Sequence, residues 1–215
     1  LGQQAINPPG DARQDLWIIQ ELAKRIGLSW SYSGANSVFQ ELCEANDSIS
    51  GITWDLLSKE HSVTYPYTAA HPQSEPTLFR SSFPTSTGKA KFVAAEYVGA
   101  DELPDEEYPF VFITGRQLEH WHTGSMTTRS LVLSSLEPHA VININPEDME
   151  IIGCLEDDTV QIESRRGRLE AKVRVDSRVQ TQSIFMAFCY VDSAANLLTN
   201  QALDPQGKIP EFKFC

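Results

Sequence analysis

The amino-acid sequence predicts a mixed α/β protein: a helical and irregular part of an incomplete α/β domain, then a β-rich part that closes as a barrel or sandwich. Three observations carry this. Apolar residues recur at three- and four-residue steps only early in the chain. From residue 110 onward, short apolar runs alternate with turn residues. Between the two, residues 101–107 place five carboxylates in seven positions, which is expected to be a solvated linker. The boundary is drawn there, giving a partial α/β domain with its connecting segment over 1–100 and a β-rich domain over 101–215.

The elements follow in order. Residues 1–10 are rich in Gly, Pro and Asn and read as a loop. Leu16, Ile19, Leu22, Ala23 and Ile26 then mark one face of a helix over 11–27. Asp11 or Asp15 favours its start, Lys24 and Arg25 suit its end, and Gly27 terminates it. A second helix is predicted over 37–45 and a shorter one from Thr53. Residues 61–88 show no sustained period and read as a long packed connection, followed by a strand over 89–93.

In the second half, 110–114 reads as a buried strand ending in Gly115, and 140–145 as another. Asn145 and Pro146 open a short helix that Gly153 closes. Residues 159–164 and 169–175 alternate apolar and polar around an Arg-Arg-Gly-Arg turn, the clearest hairpin in the chain. Strands at 184–190 and 212–215 complete the set. Because the chain opens at Leu1 and stops inside that last strand, it is expected to be a piece of a longer polypeptide.

Seventeen basic residues against 29 acidic ones give a net charge of −12, which nucleic-acid phosphates would repel. No apolar run is long enough to span a bilayer, so membrane insertion is not expected. Cys43, Cys154, Cys189 and Cys215 form no CxxC pair and no disulfide framework; they read as reduced thiols of a cytoplasmic protein.

Chemistry concentrates after the first strand of the second half. Residues 114–129 hold two His, two Arg, two Gly, a Trp and five hydroxyl residues. Glycines let backbone N–H groups approach an anion, and Arg116 offers a planar fork of donors for phosphate. Such a donor-rich loop suits a polyphosphate or a pterin-like heterocycle. Other readings stay open on composition alone. His120 and His122 have the spacing of two metal ligands on a strand, but no third ligand arrives at a familiar spacing. The loop can be structural, with His120 and Trp121 packed. Ser125 lies near His122, but no Gly-x-Ser-x-Gly elbow supports a hydrolase. Further on, the planar amide of Asn196 can read a heterocycle edge or simply cap a turn.

The stretch TGRQLEHWHTGSMTTRS from Thr114, paired with ANLLTNQALDPQGKIPEFKFC from Ala195, resembles the molybdopterin-dinucleotide-binding domain of the molybdenum and tungsten oxidoreductases, formate dehydrogenase alpha subunits above all. SFPTSTGKAKF and INPPGDARQDLWIIQELAKRIG resemble the segments that precede it, so the resemblance covers the whole chain. It implies a double-psi β-barrel domain over a bis(molybdopterin guanine dinucleotide) cofactor carrying Mo or W. It implies cofactor contacts at Thr114, Gly115, Arg116, Gln117, His120, Trp121, His122, Thr123, Ser125, Asn196 and Lys213. It assigns no catalytic or metal-ligating residue here: the metal-ligating Cys or selenocysteine and the iron–sulfur cysteines belong to the remainder of the alpha subunit. Formate oxidation, with electrons leaving through an iron–sulfur cluster to electron-transfer subunits, is the implied activity of the parent enzyme. A nitrate reductase of the same superfamily and a non-catalytic binding module are the alternatives.

Overall fold

Helix ends coincide with local sequence signals in the first of two units, Leu1–Ala94 and Ala95–Cys215, into which the computed structural model of residues 1–215 divides. Helix α1 (Asp15–Arg25) carries Asp15 in its first turn, and Lys24 and Arg25 both pair with Glu21. Gly27, at φ +86°, ends it: Leu28 N–H reaches Ala23 C=O (2.9 Å) and Gly27 N–H reaches Lys24 C=O (3.2 Å), satisfying two terminal carbonyls. Helix α2 (Ala35–Ala45) starts where the Ser37 hydroxyl bonds back to Gly34 (2.8 Å). Helix α3 (Trp54–Glu60) starts at Thr53, whose hydroxyl accepts from Leu56 N–H (3.1 Å). Phe39 and Trp54 meet edge-on, and the Cys43 thiol donates to Ile52 C=O.

The apolar face of α1 forms as predicted but stays open: Ile19, Leu22 and Ile26 are exposed, and Ala23 alone in that helix is buried. One expectation for this unit fails. The unit holds three α-helices and no strand. Residues 89–93 form no ladder, and Phe92 is 99% exposed, because no strand lies beside them to accept the pairing.

The second unit is built on five strands: β1 (Val111–Gly115), β2 (Val141–Ile144), β3 (Thr159–Ser164), β4 (Gly167–Val175) and β5 (Ser183–Ala187), in spatial order β1-β5-β2-β4-β3. β1–β5 and β2–β4 are parallel; β2–β5 and β3–β4 are antiparallel. It follows that β1, β3 and β5 end, and β2 and β4 begin, at one end of the sheet. The sheet curls into a half-barrel. Phe112 and Cys215 at the β1 edge share a small cavity with Ile162 and Leu198 at the β3 side. Ile142, Ile144, Val173 and Met186 form the core, the last two at 1% and 0% exposure. The features specific to a double-psi closure are not among these; what stands is the half-barrel.

Two short helices link these strands. Helix α4 (Leu131–Leu136), which the sequence pattern did not reveal, is capped by the Ser130 hydroxyl. Helix α5 (Pro146–Ile152) follows its signals: Asn145 accepts from Glu147 N–H, and Gly153 closes it at φ +81°. Residues 212–215 make one pairing rather than a strand, with Cys215 and Phe112 exchanging N–H···O bonds. The acidic run is mostly exposed, as expected, but two of its carboxylates are tied to the hairpin turn. Glu102 pairs with both Arg165 and Arg166, Asp105 pairs with Arg165, and the Arg165 guanidinium lies 4.5 Å over the Tyr108 ring. The Tyr108 amide, then Arg165, holds the Asp105 carboxyl below the usual carboxylate range. All four cysteines are free, and no helix is long and apolar enough to cross a membrane.

Candidate functional site

Strand β1 delivers the chain to the sheet end where the strand polarities place the loops, and the predicted residues divide there into two sets. The first set is committed to the protein. Thr114 is buried, and its hydroxyl donates to Phe212 C=O. Gly115 lies under the Phe185 ring, where an added Cβ would stand 2.4 Å from Cε2. Gln117 donates through its amide nitrogen to the Tyr190 hydroxyl (3.0 Å).

His120 is 2% exposed, with Nε2 3.0 Å from Glu137 C=O and Nδ1 3.2 Å from the Thr127 hydroxyl. A carbonyl only accepts, so Nε2 carries a proton. In the neutral ring Nδ1 then accepts from Thr127, whose oxygen also accepts from Trp121 N–H (3.0 Å). The imidazole therefore fastens both ends of its own loop, which makes the packed reading of His120 the one its geometry matches.

Glu137 is the hub of this buried set. Its carboxylate takes both nitrogens of Arg174 at 3.1 and 3.0 Å. Its carbonyl accepts from His120 and from the Tyr190 hydroxyl (3.3 Å). Burial pushes the Tyr190 phenol up to about 12. The sequence reading missed Glu137, Tyr190 and Thr127. Thr127 lay within the singled-out loop, but nothing local marks the other two.

The second set faces solvent. Arg116, Trp121, His122, Thr123, Ser125, Asn196 and Lys213 are exposed. The side chains of Arg116, His122, Asn196 and Lys213 make no hydrogen bond or ion pair within the protein, whereas Thr123 and Ser125 touch each other at 3.5 Å. The tip of the loop is held open by backbone geometry. His122 sits at φ +49°, a left-handed conformation that costs a non-glycine residue about 1 kcal/mol or more. Gly124, at φ +75°, has no room for a Cβ, which would stand 2.7 Å from Cys189 C=O. Gly124 N–H closes on Trp121 C=O (2.9 Å), and Thr128 bonds back to Gly124 C=O through its hydroxyl and its amide. Trp121 and His122 meet edge-on at 4.7 Å between centroids.

Topology brings the distant members to the same end of the sheet. Phe212 C=O receives the Thr114 hydroxyl and Cys215 pairs with Phe112, so Lys213 lies level with the end of β1. Asn196 sits in a 3-10 turn (Ala195–Leu197) against the β3–β4 hairpin turn, at the same end of the sheet. A cleft of about 550 Å³ opens beside the loop, lined by His120, Glu137, His139, Lys172, Cys189 and Tyr190. It belongs to the committed set, and none of the seven exposed residues lines it. The free donors thus lie outside this cleft. The set also holds no cluster able to ligate a metal.

Comparison with known proteins identifies the family. The sequence profile of the molydopterin dinucleotide binding domain matches residues 110–215. Over its whole length the chain is 37% identical to the F420-dependent formate dehydrogenase subunit alpha of Methanocaldococcus jannaschii and covers 32% of it. Over 99% of its length it is 30% identical to a nitrate reductase of Symbiobacterium thermophilum, covering 31% of that protein. The structure of acetylene hydratase from Pelobacter acetylenicus superposes with a TM-score of 0.68 over 99% of this chain and 33% of the hydratase, at 18% identity, which shows a shared fold. The chain therefore spans about a third of the length of these relatives. Through the sheet, loop and C-terminal segment of residues 110–215, it belongs to the molybdopterin-dinucleotide-binding family and corresponds to the C-terminal part of formate dehydrogenase alpha subunits.

Proposed function

We propose that the exposed donors at the loop end of the sheet hold the guanine-dinucleotide part of a bis(molybdopterin guanine dinucleotide) cofactor in a formate dehydrogenase. One observation carries this reading. Arg116, His122, Asn196 and Lys213 have no side-chain partner in the protein, yet a loop whose buried half is hydrogen-bonded, a 3-10 turn and the C-terminal segment carry them at the same end of the sheet. The donor set fits the group. Arg116 and Lys213 supply the positive charge that a pyrophosphate needs, in a chain whose net charge is −12. Asn196 donates and accepts in one plane, as a guanine or pterin edge requires, while His122, Thr123 and Ser125 add neutral donors. Trp121 offers an apolar ring face beside them.

When bound, the cofactor supplies the Mo or W centre and the two-electron chemistry of formate oxidation. This chain's residues bind and orient: Arg116 and Lys213 fix the phosphates, Asn196 sets the ring register, and His120 with Glu137 keeps the loop from relaxing. In this reading none of them makes or breaks a substrate bond, and the chain by itself is not expected to turn over formate. The metal ligand, the iron–sulfur cluster, the electron-transfer subunits and a cytoplasmic location belong to the parent enzyme in this reading. A nitrate-reducing parent is the second reading, favoured by the 30% identity to a nitrate reductase. Formate and nitrate assays on the full-length subunit separate the two.

Arg116→Ala and Lys213→Ala in the full-length subunit test the binding reading. Each is expected to lower the guanine nucleotide and metal that co-purify, about tenfold for loss of a charge-assisted contact, while Tm stays within about 2 °C. Full retention of both in both variants would remove the phosphate assignment.

A further inference from the structure

We propose that Arg166 and Glu102 form a positioning pair for Asn196, an inference that rests on reading Asn196 as a cofactor contact. Asn196 itself has no side-chain bond to hold it; its orientation comes from the turn that carries it. That turn is pinned at both ends. Ala195 and Leu198 are 1% and 0% exposed, whereas Asn196 and Leu197 between them face solvent.

The pin is the Leu198 carbonyl. It accepts from Arg166 Nη2 (2.7 Å), Arg166 Nε (3.1 Å) and the Ser164 hydroxyl (3.0 Å). A carbonyl offers two lone pairs, so this oxygen is saturated by one rigid fork and one hydroxyl. Close packing supports it from below: a Cβ added at Gly167 would stand 3.0 Å from Leu197 C=O, so the turn rests on the hairpin backbone.

Glu102 sets the fork. The remaining nitrogen of Arg166, Nη1, pairs with one Glu102 oxygen, and the other oxygen takes Arg165 Nη1 (2.8 Å). Each nitrogen of the Arg166 guanidinium thus has a partner within the protein. The Arg166 and Glu102 side chains are 22% and 23% exposed, so the pair is partly withdrawn from water and holds its geometry better than a surface pair would. Lysine cannot replace this arrangement, because an ammonium has no planar fork to span the carbonyl and the carboxylate together.

A double-mutant cycle in the full-length holo subunit tests the pair, read by the rate at which guanine nucleotide is lost on dilution. Arg166→Gln and Asn196→Ala are each expected to speed loss about tenfold, and the double variant to lose cofactor no faster than Asn196→Ala alone. Arg166→Lys is expected to behave like Arg166→Gln. If Arg166→Gln speeds loss by the same factor with and without Asn196, it acts on the domain in general and the positioning role is overturned. If Asn196→Ala speeds loss and Arg166→Gln does not, the pairing fails while the cofactor reading stands. If Asn196→Ala has no effect, the assignment of Asn196 falls and the inference with it. Should Arg166→Gln not fold, Glu102→Gln, which removes the charge that sets the Arg166 fork on the Leu198 carbonyl, completes the same cycle with the same expected coupling.

Discussion

Replacing Gly115 by alanine separates two explanations for a glycine at the mouth of a cofactor loop. Gly115 lies in ordinary extended strand, so no left-handed backbone demands it. What excludes a side chain is Phe185, diagonal to it across the parallel β1–β5 pair, with Cε2 and Cζ 2.4 and 2.8 Å from where the Cβ would stand. Phe185 is only partly buried, so the ring can be pushed aside at a cost typical of overpacking, about 1–3 kcal/mol. At roughly 4 °C per kcal/mol for a domain of this size, Tm should fall by about 4–12 °C. The loss should appear in cofactor-free protein, followed by calorimetry or guanidinium unfolding. In a Phe185→Leu background the same alanine should cost at least about 1 kcal/mol less, because the ring it strikes is gone. Equal costs in the two backgrounds would refute the argument. A loss seen only in the presence of cofactor would mean that the glycine serves the ligand instead.

Two further outcomes follow from the loop. The Tyr190 phenol, raised to about 12 from an ordinary 10.0, contributes stability that is complete below pH 10 and disappears as pH rises toward 12. Unfolding free energy measured across that window should therefore fall more steeply in wild type than in Tyr190→Phe, and identical slopes would contradict the assigned burial. His122→Gly should leave stability unchanged or raise it by about 1 kcal/mol, since glycine adopts φ +49° without strain. The same variant should still lose cofactor faster, and a loss of stability without any change in cofactor retention would show the imidazole to be structural.

How much was legible depended on whether a feature's cause lies near it in the chain. Helix α5 could be read because Asn145, Pro146 and Gly153 act on their own neighbours. The β3–β4 hairpin could be read because its strands alternate in register across a short turn. Residues 89–93 misled because a short segment after a turn can suit a sheet, and only a neighbouring strand makes one. The ion pairs of the acidic run were hidden for a related reason: Arg165 and Arg166, which bind Glu102, arrive some 60 residues later. In the candidate site, residue types in the 114–129 loop singled out a segment but could not divide it. His120 and His122 look alike in sequence. One is sealed between Thr127 and Glu137 and the other stands free, because Glu137 returns to the loop only through tertiary folding.

Hydrogen exchange on the full-length subunit, compared with and without its cofactor, tests most directly the claim that one end of this sheet is the cofactor surface. Bound cofactor should protect amides at 115–125, 195–198 and 212–214, all brought to that end by the strand polarities. Amides at the opposite end, around Leu155 and Asp176, should exchange as before. Protection confined to that opposite end, or absent from the 115–125 loop, would contradict the account.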